Sequence, residues 1–240
     1  MVSKNQIKLI QQLHQKKYRN LHNLFIVEGE KGVSEFLEAS FELHFLFHTE
    51  NFVLKKHYDE AVVINDKELR KISQLKTPNK VLAIFKKPLE ARIQKKGLTV
   101  VLDNVQDPGN LGTIIRLSDW FKVTQIICAT ETVDCYNAKV VQATMGSLAR
   151  VPIIYTDIFS FLNNTKLACF AAIMDGENVY EKQLPQDAVL VMGNEANGIS
   201  SRVLKTIDSP LAIPRFNNTS KPESLNVATA TAILLSEFRR

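Results

Sequence analysis

Residues 98–116 read LTVVLDNVQDPGNLGTIIR and contain the features that decide the fold. Residues 98–102 form an apolar, β-branched run typical of a buried strand, and residues 111–121 have the apolar spacing of a helix. Between them, Asp107-Pro108-Gly109-Asn110 is a turn and helix-capping sequence. The stretch therefore predicts a strand, a loop and a helix, which is the repeating unit of a mostly parallel α/β sheet.

The same alternation continues to the carboxyl end of the chain. Strands are predicted at residues 125–128, 151–155, 168–173, 189–192 and 211–213, and helices at 138–145, 201–206 and 224–238. Residues 1–97 predict a smaller α/β module, with helices at 3–17, 29–37 and 66–73 and strands at 24–27, 43–47, 61–64 and 81–85. Because residues 86–97 are charged and contain Pro and Gly, we expect two domains, 1–97 and 98–240.

Composition limits the classes of protein that the chain can represent. Of its 240 residues, 45% are hydrophobic and 23% are charged, which excludes disordered and low-complexity proteins. The three cysteines form no C-x-x-C pair, and no apolar run approaches the roughly 20 residues that span a bilayer. We therefore expect a cytoplasmic protein with neither a disulfide framework nor a membrane segment.

Positive charge is concentrated in the amino-terminal part. Residues 1–97 carry 18 Lys and Arg against 11 Asp and Glu, whereas residues 98–240 carry 12 against 14. Phosphate backbones are the commonest large polyanions in a cytoplasm, although an ordinary lysine-rich surface explains the excess equally well. The basic residues Lys16, Lys17 and Arg19, at the end of the first predicted helix, are our candidates for RNA contact.

Candidate site residues follow three predicted strands. In parallel α/β sheets ligands bind at the carboxyl ends of strands, so the loops at 103–112, 193–198 and 214–226 are the places to expect chemistry. Each loop also has a purely structural explanation as a turn or a helix cap. Taken together, they bring into one predicted pocket Asn110, Arg116, Glu195, Ser224 and Asn226.

Several common chemistries are excluded. Neither G-x-G-x-x-G nor G-x-x-x-x-G-K-[ST] occurs, which argues against ordinary dinucleotide and triphosphate sites. Residues 58–240 contain no histidine, so the carboxyl domain cannot run a Ser-His-Asp or Cys-His mechanism alone, and no metal is expected. The G-x-x-G match at residues 29–32 follows a strand and is interpreted as a helix start.

The three loops carry a recognisable set of motifs. N-x-G-x-x-x-R is matched by Asn110, Gly112 and Arg116, the loop G-[NS]-E-x-x-G by residues 193–198, and I-P followed by S-L-N-V by residues 213–214 and 224–227. In this the chain resembles the SpoU (TrmH-like) family of RNA ribose 2'-O-methyltransferases, within the SPOUT superfamily. Residues 25–29 resemble the ribosomal-protein-like substrate-binding domain of rRNA-modifying members, but residues 77–80 depart from the usual T-P-Q-G.

The resemblance implies a deep C-terminal trefoil knot, S-adenosylmethionine (AdoMet) as cofactor and a homodimer packed through the knotted domain. By the same resemblance, the cofactor is held by residues of the second and third motif loops. These are Met192, Gly193, Asn194, Gly198, Ile213, Leu225 and Asn226.

The implied reaction is methylation of a ribose 2'-hydroxyl in structured RNA, with large-subunit rRNA of the 23S type as the expected substrate. Asn110, Arg116, Glu195, Ser224 and Asn226 are the residues implied to act in catalysis. A guanidinium stays charged, so we expect Arg116 to clamp a phosphate and activate the hydroxyl, while Glu195 accepts the proton or pairs with Arg116. The alternatives are a tRNA substrate, a base-methylating SPOUT enzyme, or a non-catalytic RNA-binding or ribosome-assembly factor that retains the fold.

Overall fold

The computed structural model describes residues 1–216 and 224–240, which form two compact units. The first unit comprises Met1–Leu89 and Asp134–Arg150, and the second comprises Glu90–Val133 and Val151–Arg240. The break after Leu89 lies inside the charged 86–97 segment. Residues 134–150, which the sequence analysis assigned to the carboxyl domain, instead pack within the first unit.

The first unit is built on a four-stranded mixed sheet in the order β1-β4-β2-β3. Strand β4 pairs antiparallel with both β1 and β2, and β2 pairs in parallel with β3. Its elements are α1 (Lys4–Leu13), α2 (Lys16–His22), β1 (Leu24–Glu28), α3 (Glu30–Glu38), β2 (Leu43–His48), β3 (Ala61–Val63), α4 (Asp66–Ile72), β4 (Val81–Lys86) and α6 (Ala138–Thr144).

An aromatic cluster packs residues 134–150 into this unit. Phe25 of β1 lies 5.4 Å from the ring of Phe36 and 6.1 Å from that of Phe85, measured between ring centroids. The ring of Tyr136 is closer still, at 4.6 Å from Phe25. Large aromatic rings contribute strongly to core stability, which is why a segment distant in sequence becomes part of this core.

The bonds and burial of Arg19 contradict two predictions, the end of the first helix and the assignment of Arg19 to RNA. Its Nη1 donates to the carbonyl oxygens of Leu13 (3.0 Å) and His14 (2.9 Å), which are otherwise unbonded acceptors at the end of α1. Its Nε and Nη2 donate to Asp134 at 2.9 and 2.6 Å. The helix predicted at residues 3–17 therefore ends at Leu13, because Arg19 caps it. Arg19 is only 3% exposed, so its assignment as an RNA contact is wrong, whereas Lys16 and Lys17 are exposed.

Two half-buried histidines are expected to make the protein less stable in acid. Burial and the charge of Arg19 lower the pKa of His14, and burial and the charge of Lys86 lower the pKa of His44. When the pH falls below the ordinary histidine pKa of about 6.5, these two side chains therefore bind protons more readily in the unfolded chain than in the folded one. We expect Tm to fall between pH 7.5 and 5.5. The double variant His14→Gln/His44→Gln should flatten this dependence, and an unchanged slope in calorimetry would contradict the assignment.

The second unit contains a six-stranded sheet in the order β10-β8-β9-β5-β6-β7, in which every neighbouring pair is parallel. The predicted parallel α/β fold is thus confirmed. Its elements are β5 (Leu98–Leu102), α5 (Pro108–Trp120), β6 (Gln125–Cys128), β7 (Ile153–Tyr155), α7 (Ile158–Asn164), β8 (Ala168–Asn178), β9 (Ala188–Met192), α8 (Ser201–Leu204), β10 (Ser209–Ala212) and α9 (Val227–Glu237).

Sheet order explains which loops can meet. The central strand β5 has β9 on one side and β6 on the other, and all five residues of both β5 and β9 are buried. Helices α5 and α9 pack against each other. Helix α7 was not predicted; it is short, and Asp157 caps its first turn by accepting from the amide of Phe159 at 3.1 Å. The carboxyl ends of β5 and β9 therefore lie side by side, next to the start of α5.

Candidate active site

Two buried bonds tie the loop after β5 to the loop after β9. The amide of Asp103 donates to the carbonyl of Met192 at 2.9 Å, and the Asp103 carboxylate accepts from the amide of Ser200 at 2.7 Å. One residue further on, the carbonyl of Asn104 accepts from the side-chain amide of Asn194 at 2.6 Å. Asp103 is buried, so the bond from Ser200 compensates a carboxylate that would otherwise be costly to desolvate.

The 193–198 loop closes on itself as a tight turn. Asn194 and Gly198 exchange two backbone hydrogen bonds of 2.9 Å, and the Asn194 side-chain oxygen accepts from the amides of Ala196 and Asn197. A Cβ on Gly193 would lie 2.5 Å from the nitrogen of Ile199 and 2.6 Å from the oxygen of Gly198. Gly193 is therefore required for the loop to close, because only a residue without a side chain fits there.

Three of the predicted catalytic side chains form one directional chain of hydrogen bonds. The amide nitrogen of Asn226 donates to the Asn110 oxygen at 2.9 Å, and the amide nitrogen of Asn110 donates to Glu195 at 2.9 Å. The Asn226 oxygen caps α9 by accepting from the amides of Ala228 and Thr229. The chain thus begins at a helix cap and ends on a carboxylate, which sets the orientation of both amides.

Glu195 also receives two longer bonds from the loop that precedes α5. The amides of Gln106 and Asp107 each lie 3.4 Å from its carboxylate oxygens. Asp107 in turn caps α5 by accepting from the amide of Asn110 at 2.8 Å. The position of Asn110 is therefore determined twice, through its backbone by Asp107 and through its side chain by Glu195.

Arg116 stands apart from this network. It lies on the exposed side of α5, and it makes no hydrogen bond or ion pair with any residue in 1–216 or 224–240. The alternative in which Arg116 pairs with Glu195 is thus not what the structure shows, since the carboxylate binds Asn110 instead. An exposed guanidinium is available to an anionic group of a substrate.

The remaining predicted cofactor residues differ in exposure. Met192 is buried, Ile213 is half-buried, and Ser224 and Leu225 are exposed. Within the described part of the chain, no hydrogen bond joins any of these four side chains to the Asn110 network. Residues 217–223 of the third predicted loop lie outside the described residues.

Two polar residues that the sequence analysis did not single out contribute to the site. Asp103 connects the two loops, and Asn104 adopts a left-handed backbone conformation with φ 62°. The side-chain oxygen of Asn104 is buried and has no hydrogen-bond partner among the described residues. Both residues lie directly after a buried strand in the sequence, and this position could have identified them. Polar residues at a buried strand end are normally retained because their groups make hydrogen bonds.

The residues present fit AdoMet chemically. The turn at Gly193 leaves no side chain over the backbone there, and the unpartnered oxygen of Asn104 is an acceptor that a ligand amine can satisfy. Residues 1–216 and 224–240 hold no group of three or more His, Cys, Asp or Glu side chains able to bind a metal ion. No helix in these ranges is long and apolar enough to cross a membrane.

Comparison with known proteins shows which families and solved structures this chain resembles. Residues 97–236 match the SpoU rRNA Methylase family, and residues 4–83 match the MRM3-like substrate binding domain. A solved structure from Porphyromonas gingivalis, assigned to the TrmH family of RNA methyltransferases, is 39% identical with a TM-score of 0.91, and the alignment covers 100% of this chain and 98% of that one. An AdoMet-bound rRNA methyltransferase from Sinorhizobium meliloti is 28% identical with a TM-score of 0.85, covering 100% and 96%.

A relative of nearly the same length is the 23S rRNA (guanosine(2553)-2'-O)-methyltransferase RlmP of Bacillus subtilis, 27% identical over 99% of this chain and 97% of its own. The parallel sheet and the amide-rich loops at its carboxyl edge are those of an AdoMet-dependent RNA methyltransferase. The chain belongs to the SpoU rRNA Methylase family, which confirms the resemblance drawn from its three motifs.

Proposed function

We propose that this protein transfers a methyl group from AdoMet to a ribose 2'-hydroxyl of large-subunit rRNA. One observation carries the proposal: Asn226, Asn110 and Glu195, from three separate parts of the second unit, are joined by two hydrogen bonds of 2.9 Å at the carboxyl edge of the sheet. The similarity to rRNA-modifying relatives, including the B. subtilis enzyme that acts on 23S rRNA, supports rRNA over tRNA as substrate.

In this proposal the cofactor is held by the second and third motif loops. The backbone at Met192 and Gly193 and the loop residues Asn194 and Gly198 would hold it, together with Ile213, Leu225 and Asn226 of the third motif loop. When bound, AdoMet supplies an electrophilic methyl group on a cationic sulfur. Because that charge is lost on transfer, polar but mostly uncharged loops suit the reaction.

The chain's own residues position the hydroxyl and remove its proton. Arg116 holds the phosphate next to the target ribose and, as a nearby cation, lowers the pKa of the 2'-hydroxyl. Asn110 and Ser224 orient the ribose, and Asn226 keeps Asn110 in place. Glu195 is exposed and already accepts a hydrogen bond from Asn110, so it is the carboxylate that we assign to receive the proton.

Three further features complete the proposal. We infer that the chain forms the trefoil knot of its family and a homodimer through the knotted unit. The 84% exposed Trp120 on α5 supports a partner surface on that helix. We also infer that residues 1–97 bind the RNA, with Lys16 and Lys17 as contacts, and that the protein acts in the cytoplasm.

The reaction itself is tested by incubating the full chain with labelled AdoMet and an unmodified transcript of bacterial 23S rRNA. We expect label in the RNA, and nucleoside mass spectrometry should find it as a 2'-O-methylated nucleoside. Label on a base would contradict the ribose assignment, and transfer to tRNA alone would contradict the rRNA assignment. AdoMet binding in calorimetry without any transfer would favour the non-catalytic alternative.

Glu195→Gln should reduce kcat/KM for RNA methylation by about tenfold or more, because a charge-assisted hydrogen bond to Asn110 becomes a neutral one. The amide of the new side chain would also face the donors at residues 106 and 107. Glu131→Gln is the matched control, since Glu131 is exposed and its side chain takes no part in the network. Equal rates for both variants would remove Glu195 from the mechanism.

A further inference from the structure

The end of β1 holds both ends of the loop that joins α4 to β4. The Glu28 carboxylate accepts hydrogen bonds from the hydroxyl of Ser73 and from the amide of Gln74, the latter at 3.2 Å. At the other end, the amide of Gly29 donates to the carbonyl of Val81 at 3.0 Å, and Glu30 pairs with Lys80 at 3.0 Å. Three consecutive residues thus hold the 73–80 loop in one shape.

Glu28 is an unusual residue to find at this position. It is buried to 9% exposure, and that burial raises the pKa of its carboxyl group. Burying a carboxylate costs free energy unless hydrogen bonds compensate for the lost water. Both carboxylate oxygens of Glu28 accept hydrogen bonds from the start of the 73–80 loop. The bonds that compensate for its burial therefore also hold that loop in place.

Between the two held ends, the loop and α4 enclose a cleft of about 600 Å³. Its walls come from Asp66, Leu69 and Arg70 of α4 and from Lys76, Thr77 and Pro78 of the loop. This volume is in the range of clefts that take small ligands or single residues of a polymer. Polar and apolar side chains both line it, which suits a sugar-phosphate unit.

The two cations of the cleft belong to those basic residues of the first unit that no described carboxylate neutralises, as do Lys16 and Lys17. Lys80 and Lys55 pair with carboxylates, and Arg19 forms an ion pair with Asp134. By contrast, Arg70 and Lys76 are exposed and make no ion pair with a residue in 1–216 or 224–240. The cleft contains one carboxylate, Asp66, so its net charge remains positive.

We propose that this cleft binds the phosphate backbone of the RNA substrate, with Arg70 and Lys76 as phosphate ligands, Thr77 as a hydrogen-bond donor and Glu28 as the positioning residue of the loop. The proposal rests on the proposed function, because it names where that substrate is held. It adds a contact region that differs from Lys16 and Lys17. Arg70 supplies a planar pair of donors, which matches two phosphate oxygens better than a lysine does.

The test measures binding of the full chain to a 23S rRNA transcript as a function of salt. For Arg70→Gln/Lys76→Gln we expect about tenfold weaker binding at physiological salt and a salt slope reduced by about 1–2, because fewer counterions are released. KM for RNA should rise by a similar factor, whereas kcat at saturating RNA and AdoMet affinity should stay within twofold.

Lys31→Gln/Lys56→Gln is the matched control, since it removes two exposed charges of the same unit that do not line the cleft and that make no ion pair with a residue in 1–216 or 224–240. If it weakens RNA binding as much as the cleft variant does, only overall charge matters and the proposal is overturned. A cleft variant that binds RNA like the unmodified protein overturns it equally. Failure of the proposed function looks different, because the unmodified protein itself would then fail to methylate the transcript, whether or not it binds it.

The positioning role of Glu28 is tested separately, by measuring whether RNA affinity falls while its salt dependence stays the same. Glu28→Ala releases the loop but keeps both cations, so RNA binding should weaken several-fold with an unchanged salt slope. Glu28→Gln retains an oxygen that can accept from Gln74 and should recover most of the affinity. If the Ala variant binds RNA normally while remaining folded by circular dichroism, Glu28 does not position the cleft.

Discussion

Arg116→Ala should lower methyl transfer by about 10³-fold, the scale seen when one preorganised donor is removed from a reacting site. AdoMet affinity should stay within a few-fold, and Tm within about 2 °C, because an exposed helical residue that bonds to no other described side chain contributes little to folding. The expected loss thus falls on the chemical step. Single-turnover kinetics with labelled AdoMet and saturating 23S rRNA measure it directly.

Two control variants sharpen this result. Thr113→Ala alters the same exposed side of α5 one turn earlier and should leave the rate unchanged. Arg116→Lys keeps the charge but loses the paired donors, and we expect an intermediate rate. A tenfold or greater loss of AdoMet affinity in Arg116→Ala would assign the residue to the cofactor pocket, since tenfold corresponds to about 1.4 kcal/mol of binding free energy.

Gly193→Ala should abolish AdoMet binding, with at least about a hundredfold rise in Kd, or about 2.7 kcal/mol. The new methyl group would meet the backbone at Gly198 and Ile199, at 2.5–2.6 Å from the nearest nitrogen and oxygen. Backbone atoms cannot move aside as a flexible side chain can. The turn would have to open, and the paired bonds between Asn194 and Gly198 would be lost. Isothermal titration calorimetry with AdoMet is the measurement.

Gly198→Ala is the control in the same loop. Gly198 has φ +64°, so alanine there is strained by about 1–2 kcal/mol, but its Cβ would meet nothing within 4 Å. We expect a loss of AdoMet affinity of no more than about tenfold. If the two glycine variants lose affinity equally, backbone conformation rather than close packing controls the loop, and the steric argument for Gly193 is wrong.

Much of the second unit could be predicted from local sequence. The strand at residues 98–102 and the strand at 125–128 match the observed β5 and β6 residue for residue. Both are short, β-branched and bounded by turn residues, so period and composition agree. The site residues Asn110, Glu195 and Asn226 were predicted from their motifs, which follow strands that the same pattern revealed.

Other features depend on partners far away in the sequence. The end of α1 is set by Arg19 and its bond to Asp134, 115 residues later. Residues 134–150 pack with the first unit because Tyr136 meets Phe25. No local period reports such contacts, and for that reason the helix was predicted too long and Arg19 was assigned to RNA.

By itself the sequence predicted the parallel α/β class, the three loops of the candidate site and the family, since these follow from periodicity and from side chains within short segments. Only the tertiary structure decided that Asn110 binds Glu195, that Arg116 has no hydrogen-bond or ion-pair partner within residues 1–216 and 224–240, and that Glu28 holds the 73–80 loop. The physical reason is that a hydrogen bond needs its two atoms within about 3 Å in a suitable direction, and packing rather than sequence spacing sets that distance.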